Sequence, residues 1–132
     1  MGSWKYIKGA HYERELLKEI QARGFFVTRA AGSGIDGLSP DLIVLSTTKK
    51  FALECKAWKG SIRIEKDKLE AYKQWEQRTG LPVYIAWKRS HKEWRFFPLS
   101  SLKETPKAFM ISKEDAGLGM VLDEVVGREK NI

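Results

Sequence analysis

The chain is poor in residues that cross-link or bind metals through sulfur and imidazole. In 132 residues it has one cysteine, Cys55, and two histidines, His11 and His91. A single thiol excludes an intrachain disulfide and a cysteine-built zinc cluster. Histidines at a helix start and in a turn argue against a histidine-rich zinc centre. Long apolar runs are also missing. The longest aliphatic stretch, Leu42 to Leu45, falls far short of the ~20 residues of a membrane span, and no apolar signal segment opens the chain. A protein of a reducing compartment, the cytoplasm, is the expectation. No repeat, low-complexity segment or linker divides the sequence, so residues 1–132 read as one domain, with 1–5 and 128–132 as flexible tails.

Acids are in the minority, 17 against 24 Lys and Arg, which gives a net charge of +7 and a pI near 9.5. With 42% hydrophobic residues and five Trp, the chain has enough apolar surface for a core and is not a disordered basic tail. Between Lys56 and Arg95 there are eleven basic and five acidic residues, so six of the seven net charges lie in that third. A polyanionic partner is consistent with such a concentration. Trp58, Tyr72, Trp75, Tyr84 and Trp87 are interleaved with it, and Trp94 lies near its end. Tyr72 and Trp75 stand at helical spacing and read as core, whereas Trp58, between Lys56 and Lys59, fits a core less readily.

The hydrophobic pattern predicts a helix over 10–23, with Leu16, Leu17 and Ile20 on one face and Gly24 as its stop. Strands follow at 25–28, 41–45 and 51–57, the last two forming a hairpin across 46–50. Three glycines and a proline make 31–40 a loop. A second helix is expected over 65–79, with Leu69, Tyr72 and Trp75 on one face, then strands at 81–87 and 94–99. A last strand at 107–111 and a short helix over 119–126 close the chain. The order implies an α/β domain with a central mixed five-stranded sheet flanked by helices.

Four polar residues sit where this pattern wants apolar ones. Relative to Glu13, Leu16, Leu17 and Ile20 lie at +3, +4 and +7, which sets that carboxylate on the apolar stripe while Glu15 faces away. Asp41 opens an otherwise apolar strand. On the next strand, a period of two divides Phe51, Leu53 and Cys55 from Ala52, Glu54 and Lys56. Cys55 then faces the apolar side as an inert thiol. Each position has an ordinary explanation: a helix N-terminus for Glu13, a turn for Asp41, a solvent-facing ion pair for Glu54 and Lys56. The hairpin, however, brings Asp41 near Glu54. Carboxylates converging with a lysine are what metal-assisted phosphodiester hydrolysis requires, because hard oxygens hold Mg²⁺ while leaving water in its shell. The glycine-rich loop matches neither a Walker A nor a dinucleotide-binding pattern.

Pro40-Asp41, twelve residues, then Glu54-Cys55-Lys56 resembles the PD…ExK signature of restriction-endonuclease-like nucleases. The strings Lys8-Gly9-Ala10-His11-Tyr12-Glu13-Arg14-Glu15-Leu16 and Val27-Thr28-Arg29-Ala30-Ala31-Gly32-Ser33 resemble the N-terminal third of the archaeal Holliday junction resolvases. The likeness runs on through Gly80-Leu81-Pro82 and Trp94-Arg95-Phe96. The resemblance implies a restriction-endonuclease-like nuclease fold and a homodimer that resolves four-way DNA junctions by paired nicks. It implies Mg²⁺, for which Mn²⁺ can substitute, on Glu13, Asp41 and Glu54, with Lys56 assisting the water and Ser33 important to catalysis. Arg14 and Arg29 fall on basic family positions expected to meet DNA phosphates, and Lys8, Lys59 and Arg63 are expected to join them. Asp36 stands where relatives often carry basic residues. Two other readings stay open: a duplex-cutting restriction or repair nuclease, and a catalytically silent DNA-binding module.

Overall fold

The first helix, α1 (Ser3–Gln21), has two fully buried side chains among its described ones, Leu16 and Ile20. Each such burial contributes about 1.5–3 kcal/mol. The computed structural model describes residues 3–30 and 39–127, with side chains in α1 from residue 9 onward. Loop residues 31–38, with Ser33 and Asp36, and the C-terminal segment 128–132 lie outside the described residues. The helix starts seven residues before the pattern suggests. Its first turn carries no acidic residue, so nothing there signals the start. At the other end, Gly24 adopts a φ of 89°, which favours glycine, and its N–H donates to the Gln21 carbonyl.

Strands β1 (Phe26–Arg29), β2 (Leu42–Leu45) and β3 (Lys50–Lys56) form an antiparallel run. The next strand, β4 (Ile62–Glu65), leads directly into helix α2 (Lys66–Thr79). Strand β5 (Val83–Trp87) then pairs parallel with β3, and β6 (Arg95–Pro98) pairs antiparallel with β5. The result is a mixed five-stranded sheet, as the pattern implied, with the strand order β1-β2-β3-β5-β6. α2 ends at Gly80 with φ 74°, and the Glu76 carboxylate accepts the Val83 N–H at 2.7 Å, which ties the helix end to the start of β5.

A second sheet was not foreseen. Strands β7 (Lys103–Glu104) and β8 (Ala108–Ile111) join β4 in the order β4-β8-β7. β4 alternates buried Ile62 and Ile64 with exposed Arg63 and Glu65, but four residues running straight into a helix give little signal of their own. The last helix among the described residues, α3 (Leu122–Val126), is shorter than the span expected for it.

The large sheet is covered on both faces. Ala52, Val83, Ile85 and Trp87 pack with Leu69 and Tyr72 of α2 and with Ile62, Ile64 and Ile111 of the small sheet. Leu42, Val44, Phe51 and Leu53 pack with Leu16 and Ile20 of α1 and with Leu122, Val125 and Val126 of α3. β3 therefore has no solvent-facing side, and Glu54 and Lys56 follow Ala52 on the α2 face. Among the described residues no helix is long and apolar enough to cross a membrane.

Candidate active site

The C-terminal half of β3 carries the charges. Glu54 is the only buried charged residue among those described, at 4% exposure. Its Oε2 lies 3.2 Å from Lys56 Nζ on the same strand face. A second lysine, Lys68 on the first turn of α2, puts its Nζ 3.7 Å from the same oxygen. The other oxygen, Oε1, and the Tyr72 hydroxyl are both buried, and neither has a hydrogen-bond partner. Burial, then the Glu54 charge and the phenol's approach to that carboxylate, push Tyr72 far above its usual range, so it stays neutral, although the approach falls short of a well-formed hydrogen bond. Sequence reasoning missed Lys68 as part of this site. The signal was available, since Lys68 lies four residues before Tyr72 and so shares its helix face.

Asp41 precedes β2. The register that opposes Leu42 to Leu53 brings it beside Glu54 one step further along. Its Oδ2 accepts the Cys55 N–H at 2.9 Å. Burial raises its carboxyl to about 7, and the Glu54 charge adds to that; the Cys55 N–H opposes the rise, Glu13 adds to it and Lys56 opposes it. Asp41 thus feels both of the other acids and the lysine, so the four residues picked out by periodicity share one locality. Cys55 is partly buried on the opposite face, and its thiol is raised by burial and then by Asp41, Glu13 and Glu54, in keeping with an inert thiol.

Glu13 reaches the site from α1. Its side chain is 16% exposed, and Oε1 accepts the Arg29 Nε–H at 3.0 Å. Both residues line a cavity of about 180 Å³ with Gly9, Ala10, Cys55, Ala57 and Trp94. Arg29, expected to meet phosphates, is paired with Glu13 in the chain without metal or DNA. Trp58 is 40% exposed; its ring lies 5.0 Å from Lys56 Nζ, and its carbonyl accepts the Trp87 Nε1–H at 3.0 Å. Arg14, Lys59 and Arg63 are exposed. Lys8 lies in α1 with its side chain, like the whole of Ser33, outside the described residues. Among the described residues no three His, Cys, Asp or Glu side chains come close enough to hold a metal ion.

A family model described as archaeal Holliday junction resolvase matches residues 4–132. The chain belongs to the archaeal Holliday junction resolvase family. Among its relatives, the crossover junction endodeoxyribonuclease Hjc of Archaeoglobus fulgidus is 34% identical over 123 residues, covering 92% of this chain and 90% of the relative. The protein of the same name from Methanocaldococcus jannaschii is 31% identical over 130 residues, covering 97% and 93%. A solved structure of A. fulgidus Hjc, described as a Holliday junction resolvase from an archaeal hyperthermophile, superposes with a TM-score of 0.82 at 31% identity, covering 94% of this chain and 99% of that one. The mixed five-stranded sheet flanked by helices is thus the fold of a Holliday junction resolvase. This resolvase is an endonuclease of DNA recombination and repair by family, and nucleases of the family are generally metal-dependent.

Proposed function

We propose that the chain, as one domain in the cytoplasm, resolves four-way DNA junctions by Mg²⁺-dependent hydrolysis. Two copies in a homodimer would nick symmetric strands and leave 5′-phosphates. The observation that carries the site assignment is buried Glu54 with Lys56 at 3.2 Å, beside an Asp41 whose carboxyl is raised to about 7 by burial and by the neighbouring acids.

The chemistry of the donors suits a hard divalent cation, whose binding would have to draw together three carboxylates that stand too far apart in the metal-free chain to hold it. Glu13, Asp41 and Glu54 offer carboxylate oxygens, Glu54 Oε1 is buried without a partner, and the like-charge crowding at Asp41 is what a cation relieves. Glu13 would have to exchange Arg29 for the metal, because its Oε1 is occupied by that guanidinium. Mn²⁺ would substitute through the same oxygens. When bound, the cation supplies Lewis acidity at a phosphoryl oxygen and lowers the pKa of a water in its shell.

The chain's own residues do the rest. Lys56 sets a positive charge beside the attacking water and offsets the charge that builds on the phosphoryl oxygens. The water oxygen bonds to phosphorus as the bond from phosphorus to O3′ breaks, which leaves a 3′-hydroxyl and a 5′-phosphate. Ser33 is assigned a catalytic part by its family position. Lys8, Arg14, Arg29, Lys59 and Arg63 are assigned to DNA phosphates, the last two within the basic stretch of residues 56–95. Contacts of that kind read backbone shape rather than base sequence. The test is cleavage of a labelled four-way junction and of a linear duplex of equal sequence in Mg²⁺. Paired symmetric nicks confined to the junction are expected; equal cutting of the duplex would replace junction resolution with general duplex cleavage.

A further inference from the structure

Glu54 carries one negative charge, yet two ammonium groups converge on its Oε2, Lys56 at 3.2 Å and Lys68 at 3.7 Å. One lysine is enough to neutralise one carboxylate. The second is not needed to neutralise Glu54, and the neighbouring Asp41 feels Lys56 rather than Lys68. Lys56 is the inner member, its side chain 15% exposed, while that of Lys68 is 34% exposed and so reaches both the buried acid and solvent. At 3.7 Å it is held by charge rather than by a well-formed hydrogen bond, since N–H···O bonds fall at about 2.7–3.2 Å. Lys68 Nζ also lies 6.0 Å from the centre of the Tyr72 ring, on the site side of α2, whereas Lys66 pairs with Glu104 and Lys73 lies over the Phe109 ring.

We infer that Lys68 is a second phosphate-binding lysine of this site, one that takes a DNA phosphodiester oxygen at the edge of the Glu54–Lys56 pair. The inference rests on the nuclease reading above and extends it to a residue outside the PD…ExK signature. It also assigns Glu54 a second effect: in the metal-free protein its carboxylate competes with DNA phosphate for both lysines.

Binding of a labelled four-way junction in EDTA, across a salt series, tests this with Lys68→Met, Lys68→Arg, Glu54→Gln and the Glu54→Gln/Lys68→Met double variant. Lys68→Met is expected to weaken binding roughly five- to tenfold and to lower the slope of log affinity against log salt by about one unit, whereas Lys68→Arg keeps both near wild type. Glu54→Gln is expected to tighten metal-free binding, and the double variant to lose that gain. Lys68→Gln repeats the test with a polar neutral head should Met disturb the helix start. Wild-type affinity and salt slope in both neutral variants would overturn the inference, as would an equal loss in Lys68→Arg. Wild-type nicking in Mg²⁺ keeps the two claims apart. Normal nicking with binding indifferent to Lys68 overturns only the role of Lys68, whereas absent nicking overturns the nuclease reading beneath it.

Discussion

Glu54 and Glu13 approach the site from opposite faces of the sheet and are held in different ways. Glu54 sits on a central strand, buried, with lysines from β3 and α2 on one oxygen. Glu13 stands on a helix stripe and meets one guanidinium, that of Arg29, whose side chain is itself 45% exposed. With Arg29 that open to solvent, although Glu13 is only 16% exposed, the pair is held less firmly than one buried on both sides and exchanges more readily. A buried carboxylate stripped of its partners costs several kcal/mol, so the Glu54 arrangement has to be built into the fold. The comparison teaches that one end of the site is fixed by packing, while the other is an exchangeable ion pair that a cation can replace.

The most demanding test of that asymmetry is metal titration. Glu13→Gln should slow single-turnover junction nicking by roughly 10²-fold and raise the Mg²⁺ concentration needed for half-maximal rate, so that excess Mg²⁺ recovers part of the activity. The same excess should recover nothing in Glu54→Gln. Equal recovery of both variants would erase the distinction between the two ends.

A smaller effect concerns Asp41, which lies between them. Its carboxyl is raised from 3.8 to about 7, so the folded protein holds this proton more tightly than the unfolded chain does. Stability from this group therefore falls as pH rises from about 4 to 7 and stays low above that. Asp41→Asn, which can still accept the Cys55 N–H, should raise the melting temperature of the metal-free protein by a few degrees at pH 8. The gain should shrink towards pH 4. A lower melting temperature than wild type at pH 8 would mean that Asp41 is stabilised as an anion. The smallest effect belongs to Tyr72. Its buried hydroxyl faces the Glu54 carboxylate but makes no well-formed hydrogen bond, so Tyr72→Phe should leave the melting temperature within about 2 °C of wild type or slightly raise it. A fall of 5 °C or more in that variant would reveal a hydrogen bond to Glu54.

Most of this arrangement was legible in the sequence because it rests on period and spacing. The two-residue alternation of β3 separated Glu54 and Lys56 from Cys55, and the stripe of α1 placed Glu13 with Leu16 and Ile20 rather than with Glu15. The small sheet was not legible, since β4 and β7 are four and two residues long and are defined by their pairing with β8. Periodicity showed that Glu54 and Lys56 share a face, but not that this face is covered. That depends on α2 and the small sheet packing over Ala52, Val83 and Ile85. The same packing delivers Lys68, which sequence reasoning passed over as one more charge in a basic stretch. Arg29 shows another limit: its family position suggested phosphate, but nothing in the sequence signalled that its register opposite Leu42 also brings it within 3.0 Å of Glu13.

The central claim is that the Glu54–Lys56 pair at the end of β3 performs the cleavage of a junction-resolving nuclease. The measurement that bears on it most directly is the nicking rate of Glu54→Gln on a labelled four-way junction in Mg²⁺, run beside a gel-shift assay of the same protein and junction. The account predicts that nicking falls by roughly 10³-fold or more while junction binding is retained. Nicking at a rate near wild type in a variant that binds normally would contradict it and move the reaction away from this site.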